Sequence, residues 1–432
     1  PPGRPAAETY YDFFDRILPE GPEAYLAADR IHLDPGATGE GLRRLGPHSR
    51  PVGGDAGDGT LGLTFFGPYE RATGLGQAAR GHLAALEAAG VEYGAVSTGV
   101  PDFQARVPFE PRGGRLDWPV ALAHVTWHEM PHFVRQQGRP FAAAEHRIGV
   151  WVWELPSLPP GAELQAVPLD EVWVPSAFNQ RAVQAISDVP VYRIPYVVEP
   201  RPGAAGRGPE GRARARARFG LPEGAFAFLY MFDACSYVER KNPFALVRAF
   251  REEFAGRGDA VLVLKVSHGT YDTRFVERLG EELDGPVRDD VLVIDEVLPD
   301  EGVSDLIAAC DCYVSPHRSE GFGLTLAEAM LEGKPVIGTR YGGVTDFLTD
   351  ETGYPVDFRL VEIAEDLGVY RAGNVWADPS VPHLARRMRE VFGDPEGAAR
   401  RGARGRRFIT DNYSRQAVGR LIAERLRTIY GV

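Results

Sequence analysis

Short apolar runs alternate with amphipathic stretches over most of the 432 residues. Runs such as 61–67, 225–232 and 260–266 have the length of buried strands, and the segments between runs repeat apolar residues at helical spacing. Such alternation predicts repeated βαβ units, hence an α/β fold with parallel sheets and right-handed crossovers. Because the chain is long for one hydrophobic core, we expect two domains.

The pattern is sharpest between residues 312 and 331. Cys312–Ser315 predicts a buried strand, a glycine-containing loop follows, and apolar residues then recur at helical spacing. The first N–H groups of a helix have no partner within the helix, and they bind phosphate well where glycines allow close approach. We therefore expect an anion-binding loop formed by Gly321, Phe322, Gly323, Leu324 and Thr325.

Two glutamates flank this loop. Glu320 precedes the glycines, and Glu328 lies about one turn into the predicted helix. A carboxylate accepts hydrogen bonds from sugar hydroxyls, so a nucleotide sugar would satisfy both the glutamates and the amides. Taken alone, two glutamates eight residues apart favour the plainer interpretation of a helix cap and a surface residue.

Residues 320–324 followed by Glu328 resemble the E-x7-E signature of retaining GT-B glycosyltransferases of family 4, and residues 333–337 and 342–344 continue that pattern. The resemblance covers residues 228–414 well and the N-terminal half more loosely. It implies two Rossmann-like domains with parallel sheets facing across a cleft. It also implies that Glu320 contacts the donor sugar and that Glu328 binds the nucleotide ribose.

Two cations lie in the loop after the predicted strand 225–232. Arg240 and Lys241 precede a predicted helix at 244–254, an arrangement that suits a diphosphate by charge and by helix dipole. Members of the resembled family carry a lysine at the position of Lys241 and an arginine five residues earlier. This chain has Ser236 there, so Arg240 must take over the role of that arginine or the role is lost.

The N-terminal half contains a second strand, loop and helix. The run 61–67 is followed by Gly74 and Gly76, which open a predicted helix extending to residue 89. Close packing between a strand and a helix requires small residues equally often, so these glycines alone are weak evidence. The resemblance implies that this loop faces the cleft, near the donor phosphates and the acceptor.

The predicted strand 120–127 ends at His128 and Glu129. Open α/β sheets bind ligands at the carboxyl ends of their strands, and the resembled family often carries a histidine here, close to the transferred sugar. A packed structural histidine is an equal alternative. If His128 is catalytic, Glu129 belongs to the sugar or acceptor side of the site.

The predicted strand 148–156 carries Trp151 and Trp153 and then Glu154. Alternation along a strand places both rings on one face, and core packing explains them adequately. The functional alternative makes Trp153 a platform for a sugar ring and Glu154 a second carboxylate of the cleft.

These patterns divide the chain into residues 1–198, 199–414 and 415–432. The last segment is amphipathic and, by the resemblance, packs back on the N-terminal domain. A short helix is expected at 10–14, and no chemistry is assigned to residues 1–60. Arginines in the run 212–218 are spread around a predicted helix, which favours an exposed segment beside the linker over a nucleic-acid surface.

Composition and charge exclude several classes of function. The 44% hydrophobic and 25% charged content is ordinary for a globular protein, and the net charge of −12 argues against broad nucleic-acid binding. Three cysteines in or near apolar runs indicate a reducing compartment rather than a disulfide framework. With no apolar run long enough for a bilayer, we expect a cytoplasmic protein; a peripheral place at a membrane surface stays open.

We therefore expect transfer of a sugar from a nucleoside-diphosphate sugar to a hydroxyl of a glycan, lipid-linked or small-molecule acceptor. Retention follows from the resemblance only. The absence of an Asp-x-Asp motif favours catalysis without a metal, and no other cofactor is expected. By their positions and by the resemblance, His128 and Glu320 are the predicted catalytic residues. A GT-B epimerase and a non-catalytic nucleotide-sugar-binding protein are the alternatives. The sequence does not reveal the donor sugar, the base or the acceptor.

Overall fold

The computed structural model describes residues 52, 60–101, 105–201, 203, 208–269, 275–283 and 290–432, which form two compact units. The first unit consists of the described residues up to Val197, with Gly368–Arg371 and Asn412–Val432. The second consists of Val198–Leu367 and Ala372–Asp411. The sequence-based boundaries are 198/199 and 414/415, and the helix predicted at 10–14 lies outside the described residues.

The first unit is a parallel sheet with helices between its strands. Its strand order is β2-β1-β3-β4-β5-β6. The strands are β1 Gly62–Gly67, β2 Glu92–Ser97, β3 Val120–Ala123, β4 His146–Val150, β5 Glu171–Val174 and β6 Val191–Arg193. The helices are α1 Gly74–Ala88, α2 Met130–Ala142 and α3 Ala177–Gln184. Every residue of β1, β3, β4 and β5 is buried, as expected for a parallel sheet covered on both faces.

The second unit repeats this design with the order β12-β11-β10-β7-β8-β9, again with parallel pairs. The strands are β7 Phe226–Asp233, β8 Ala260–Ser267, β9 Val291–Asp295, β10 Cys312–Ser315, β11 Val336–Thr339 and β12 Tyr354–Val356, and an antiparallel pair, β13 Phe358–Glu362 and β14 Val375–Pro379, follows. The helices are α4 Gly208–Arg218, α5 Val238–Lys241, α6 Pro243–Phe254, α7 Phe275–Glu282, α8 Asp300–Ala309, α9 Leu324–Leu331, α10 Val381–Gly393 and α11 Pro395–Tyr413. When the strands of this unit are numbered from one, the order is 6-5-4-1-2-3, which is the strand order of a doubly wound Rossmann sheet.

The last helix, α12 Arg415–Tyr430, lies in the first unit. Its Tyr430 hydroxyl donates to the Gly62 carbonyl oxygen at 2.7 Å. The Arg425 guanidinium approaches the buried Glu171 carboxylate to 2.5 Å. One contact ties the helix to the start of β1 and the other ties it to β5.

Three local expectations need correction. The strand predicted at 148–156 ends at Val150, so Trp153 stands beyond it. The strand predicted at 120–127 ends at Ala123, and His128 lies on a short 3₁₀ helix, Trp127–Glu129. The arginine run is not simply exposed: Arg216 is buried and donates to the Ala309 and Ala225 carbonyl oxygens at 3.0 and 2.6 Å. Buried carbonyl oxygens need hydrogen-bond donors, and Arg216 supplies them to these two, which explains why its side of α4 faces inward.

None of the helices in the described parts of the chain is both long enough and apolar enough to cross a bilayer.

Candidate active site

The strand order of the second unit brings two loops together at one point of the sheet edge. β7 and β10 are neighbours although they are not consecutive in the chain, and the order runs in opposite directions on either side of them. The loops that leave the carboxyl ends of such a pair diverge and form a crevice for ligands. These loops are residues 234–242, which include the single-turn helix α5, and residues 316–323, and together they carry most of the predicted donor-site residues.

A buried histidine anchors the loop after β10. The His317 Nδ1 atom lies 3.0 Å from the Ser315 hydroxyl, and its Nε2 atom lies 3.2 Å from the Tyr341 carbonyl oxygen. Burial lowers the pKa of His317 to about 4, although nearby Glu320 acts in the opposite direction. The ring is therefore neutral at pH 7, with Nε2–H donating to Tyr341 and Nδ1 accepting from Ser315, and it fixes the start of the loop.

Glu320 is the centre of a charged cluster between the two loops. The Lys241 ammonium donates to its Oε1 atom at 2.5 Å, and a guanidinium nitrogen of Arg240 lies 3.3 Å from Oε2. Burial acts to raise the pKa of the Glu320 carboxyl, but Lys241 and Arg240 outweigh it and lower that pKa to about 2. Glu320 is therefore ionised and only accepts hydrogen bonds.

The two cations of the cluster differ in accessibility. The Arg240 side chain is 4% exposed and donates to the carbonyl oxygens of Ser319 and Ser236 at 2.9 and 3.2 Å. It ties the two loops together, so the structure gives it a supporting position rather than the open, phosphate-facing one that the sequence predicts. Lys241, with 15% of its side chain exposed, is the more accessible cation.

Gly323 shapes the start of α9. Its φ of +91° lies in the left-handed region, and a Cβ atom there would stand 2.5 Å from the Val344 Cγ1 atom. Both facts require glycine. Gly323 has no side chain with which to cap the helix. The backbone amides of Leu324 and Thr325, the first residues of α9, therefore form the positive end of the helix dipole, four residues after Glu320.

A second glycine holds the backbone of Glu320. Gly342 has a φ of +84°, and a Cβ atom there would stand 2.5 Å from the Glu320 carbonyl oxygen. The Gly343 N–H donates to that same carbonyl at 2.7 Å. Gly321 and Phe322 are buried within the loop, with the Phe322 ring packed on Phe347. The loop is therefore fixed from both sides.

Glu328 lies on α9 and is 4% exposed. The Arg201 guanidinium donates to its Oε1 atom from Nε at 3.0 Å and from Nη2 at 2.6 Å. The same guanidinium donates to the Asp300 carboxylate at 2.5 Å. Sequence reasoning missed Arg201, because a single arginine in a proline- and glycine-rich stretch gives no signal for a partner so distant in the chain.

The corresponding point in the first unit lies between β1 and β3, where the strand order also reverses. A buried ion pair occupies it: the Arg71 guanidinium donates to the Glu129 carboxylate at 2.7 Å, with side-chain exposures of 7% and 4%. Glu129 also takes part in the hydrogen bonding that caps the 3₁₀ helix through Thr126. Arg71 was not among the sequence candidates, and Glu129 is a neutralised carboxylate inside the protein rather than an open one facing an acceptor.

His128 is half-buried next to this ion pair. The Thr126 hydroxyl lies 3.2 Å from its ring nitrogens. Burial lowers the pKa of His128, and the negative charges of Glu129 and Glu154 only partly oppose that effect. The imidazole is therefore neutral at pH 7. Glu154 is half-buried and close enough for its charge to act on the ring.

Gly74 and Gly76 stand at the start of α1. Gly74 is exposed, whereas a Cβ atom on Gly76 would lie 2.1 Å from the Arg71 carbonyl oxygen. The Thr73 hydroxyl caps the helix by accepting from the Gly76 N–H at 3.2 Å. Close backbone packing therefore explains Gly76 without a ligand.

Trp153 belongs to the core. It is 1% exposed, its Nε1–H donates to the Ser157 carbonyl oxygen at 2.9 Å, and its ring packs against Trp127 and Tyr370. Tyr370 comes from the segment Gly368–Arg371, which the sequence did not assign to this unit. A buried ring offers no surface for a sugar, so the platform interpretation of Trp153 is corrected in favour of core packing.

One group of potential metal ligands occurs among the described residues. Ligand atoms of Asp233, Cys235 and His268 lie within 4.8 Å of one another, at the ends of β7 and β8. The His268 Nδ1 atom is 3.1 Å from an Asp233 carboxylate oxygen, and this hydrogen bond raises the pKa of His268. Because this ring nitrogen is already hydrogen-bonded to Asp233, the arrangement is explained as a hydrogen-bonded pair.

Residues 230–367 match the family model described as glycosyl transferases group 1. A D-inositol 3-phosphate glycosyltransferase of Arthrobacter sp. (strain FB24) is 30% identical over 151 residues, which are 34% of this chain and 35% of that protein. A GDP-mannose-dependent alpha-(1-6)-phosphatidylinositol monomannoside mannosyltransferase of Mycolicibacterium smegmatis is 27% identical over 226 residues, 50% of this chain and 52% of the relative. The chain thus spans about a third to a half of these curated relatives. The resemblance to group 1 glycosyltransferases is confirmed.

Solved structures share the fold over more of the chain. Sucrose-phosphate synthase from Thermosynechococcus elongatus has a TM-score of 0.61 at 19% identity and covers 86% of this chain and 99% of its own. Anabaena HepE in complex with UDP and glucose has a TM-score of 0.60 at 14% identity, covering 85% and 100%. The predicted GT-B fold class, with two parallel α/β sheets, is confirmed.

Proposed function

We propose that this protein is a glycosyltransferase that moves a sugar from a nucleoside-diphosphate sugar to an acceptor hydroxyl, with retention of configuration and without a metal ion. The observation that carries the proposal is the Lys241–Glu320 pair beside the N-terminus of α9, at the strand-order reversal of the second unit. It lies within the segment that matches the group 1 family. A positive helix end and an adjacent cation suit a diphosphate, and an ionised carboxylate beside them suits sugar hydroxyls.

Lys241 can serve the carboxylate and the diphosphate together. Its ammonium has three N–H donors, and the contact with Glu320 uses one of them. A diphosphate at the α9 amides would bring negative charge close to Glu320, and Lys241 between them offsets the repulsion. Arg240 contributes from behind by holding the loop and the negative charge of Glu320 in place.

Glu328 would accept hydrogen bonds from the ribose hydroxyls, and His128 would orient the donor sugar. In the transfer step the bond between the anomeric carbon and the diphosphate oxygen breaks, and its electron pair leaves with the nucleotide. The acceptor oxygen bonds to the same face of that carbon. The departing phosphate oxygen lies on this face too, so it takes the proton of the acceptor hydroxyl. Lys241 and the α9 amides stabilise the negative charge that develops on the leaving group.

A panel of nucleotide sugars tests the proposal. It includes GDP-mannose, because one relative is named as GDP-mannose-dependent, together with UDP-, TDP- and ADP-sugars. We expect one donor to be hydrolysed slowly in the absence of acceptor and to release its nucleoside diphosphate. An epimerised donor would indicate the epimerase, and binding without turnover of any donor would indicate a non-catalytic binding protein.

The variant Glu328→Gln sharpens this test. It keeps the shape of the side chain but removes its charge, so we expect nucleotide binding to weaken by about 1.5–3 kcal/mol, the usual range for hydrogen bonds to a charged group. Isothermal titration calorimetry with the nucleotide that the panel selects measures the difference. Unchanged affinity would remove Glu328 from the site.

A further inference from the structure

Arg201 links two carboxylates that lie on different helices. Both of its contacts with Glu328 fall on Oε1, at 3.0 and 2.6 Å, and its remaining terminal nitrogen donates to Asp300 at 2.5 Å. Glu328 lies on α9, and Asp300 is the first residue of α8. One guanidinium therefore sets the positions of two carboxylates from separate parts of the second unit.

The burial of these groups indicates more than a surface ion pair. The side chain of Glu328 is 4% exposed and that of Arg201 is 19% exposed, whereas that of Asp300 is 44% exposed. A buried carboxylate is costly without a partner, and a planar guanidinium that donates from two atoms fixes its direction as well as its charge. A carboxylate accepts about four hydrogen bonds, so two donors from Arg201 do not exhaust Glu328.

We infer that Arg201 is a positioning residue that holds Glu328 for the ribose, and that it makes nucleotide binding depend on the ribose hydroxyls. This inference rests on the proposed function, in which Glu328 accepts from those hydroxyls. Without Arg201 the carboxylate loses its fixed direction, and the hydroxyls lose an oriented acceptor. Contacts to the base and the diphosphate are made by other groups and stay as they are.

The test compares ribonucleotides with nucleotides that lack both hydroxyls. Binding of UDP, GDP and ADP and of their 2′,3′-dideoxy counterparts is measured by calorimetry. For the wild-type protein we expect the preferred ribonucleotide to bind at least about tenfold more tightly than its dideoxy form, the ratio that one hydrogen bond to a charged group produces. In Arg201→Gln this ratio should fall towards one, because ribonucleotide affinity drops while dideoxynucleotide affinity stays constant.

Two further variants separate positioning from general stability. Arg201→Lys keeps the positive charge but cannot donate from two atoms of one plane, so we expect an intermediate ratio. Arg218→Gln is the matched control. It removes the ion pair between Arg218 at the end of α4 and Asp305 on α8, at 2.8 Å, and should leave the ratio at the wild-type value. Thermal unfolding of each variant confirms that it is folded.

Each outcome decides the question. Equal weakening of ribo- and dideoxynucleotides by Arg201→Gln would show a merely structural role and overturn the inference. A wild-type ratio near one would overturn it whether or not the variants fold. It would also remove the ribose role of Glu328, and it would leave only the diphosphate site at Lys241 and the α9 amides. If the wild-type protein bound neither these six nucleotides nor TDP, the proposed function would fail and the inference with it.

Discussion

The two units place opposite kinds of chemistry at the same point of their folds. In each, the order of a parallel sheet reverses between two neighbouring strands, β1 and β3 in the first unit and β7 and β10 in the second. In the second unit this point carries the accessible cation Lys241 against Glu320 and an uncapped helix start. In the first unit Arg71 and Glu129 neutralise each other in the interior beside the neutral His128.

The difference indicates what each unit can bind. A crevice with a cation and a positive helix end favours an anion, whereas a neutral imidazole beside an internally paired carboxylate favours an uncharged ligand or a charge that develops only during reaction. The strand order provides a crevice in both units. The charged side chains on the loops at that crevice decide which ligand each unit can bind. Four experiments test the contrast, ordered by expected size.

The largest effect is expected for His128→Ala. If the ring acts on the sugar as positive charge develops, its loss should lower the turnover rate by about 10²-fold and leave nucleotide affinity unchanged, because only interactions stronger in the transition state raise the rate. Steady-state kinetics and calorimetry on the same preparation measure the two quantities.

The contradicting result for His128 is equally specific. A packed structural histidine would, on substitution, lower the thermal unfolding temperature while the folded enzyme kept its wild-type turnover. The first unit would then contribute no catalytic histidine to the contrast, and Glu154 would be the remaining catalytic candidate near that point of the first unit.

The second experiment concerns the acid stability that Glu320 provides. Its pKa is about 2 in the folded protein against an ordinary value of 4.5. The folded value is the lower one, so the stabilisation is complete above about pH 4.5 and is lost as the pH falls towards 2. At 1.36 kcal/mol per pKa unit the full contribution is about 3 kcal/mol, of which about 2 kcal/mol is lost between pH 5 and pH 3.

Glu320→Gln should not show this loss. Urea unfolding at pH 5 and pH 3 should give a free energy of unfolding that falls about 2 kcal/mol more for the wild type than for the variant. Parallel pH profiles would mean that the charge cluster does not stabilise the second unit. Glu129→Gln, which alters the ion pair of the first unit, is a useful comparison on the same assay.

The third experiment is Lys241→Ala. The diphosphate is charged both before and during departure, so nucleotide affinity and turnover should fall together, each by about tenfold or more, as for loss of a hydrogen bond to a charged group. This joint loss is the opposite of the pattern expected for His128→Ala. A variant that bound nucleotide as the wild type does would place the diphosphate elsewhere.

Much of the second unit was predictable because its informative residues are consecutive. Cys312–Ser315 is the strand that the pattern predicts, and α9 begins at Leu324 as expected. A strand, a glycine loop and a helix start depend on local spacing, which a sequence displays directly. The signature from Glu320 to Glu328 was recognised for the same reason.

The partners of those residues could not be predicted. Arg71 pairs with Glu129 across 58 residues, and Arg201 pairs with Glu328 across 127. Such pairs depend on which strands become neighbours and on how far each strand extends. The early end of β4 at Val150 shows the same limit, because tertiary packing, and not alternation, decides that Trp153 lies in the core.

The smallest effect is expected from chelation, and it tests whether protein charges alone balance the diphosphate. Lys241 and the α9 amides supply positive charge at the reversal point of the second unit, so turnover in EDTA should equal turnover in Mg²⁺. The group formed by Asp233, Cys235 and His268 provides the internal control. If it binds no catalytic ion, Asp233→Asn should respond to EDTA as the wild type does. Complete loss of turnover on chelation, with recovery on adding Mg²⁺ or Mn²⁺, would show that a metal, and not Lys241 and the helix end, stabilises the departing diphosphate. The two units would then differ by a bound ion rather than by their side chains.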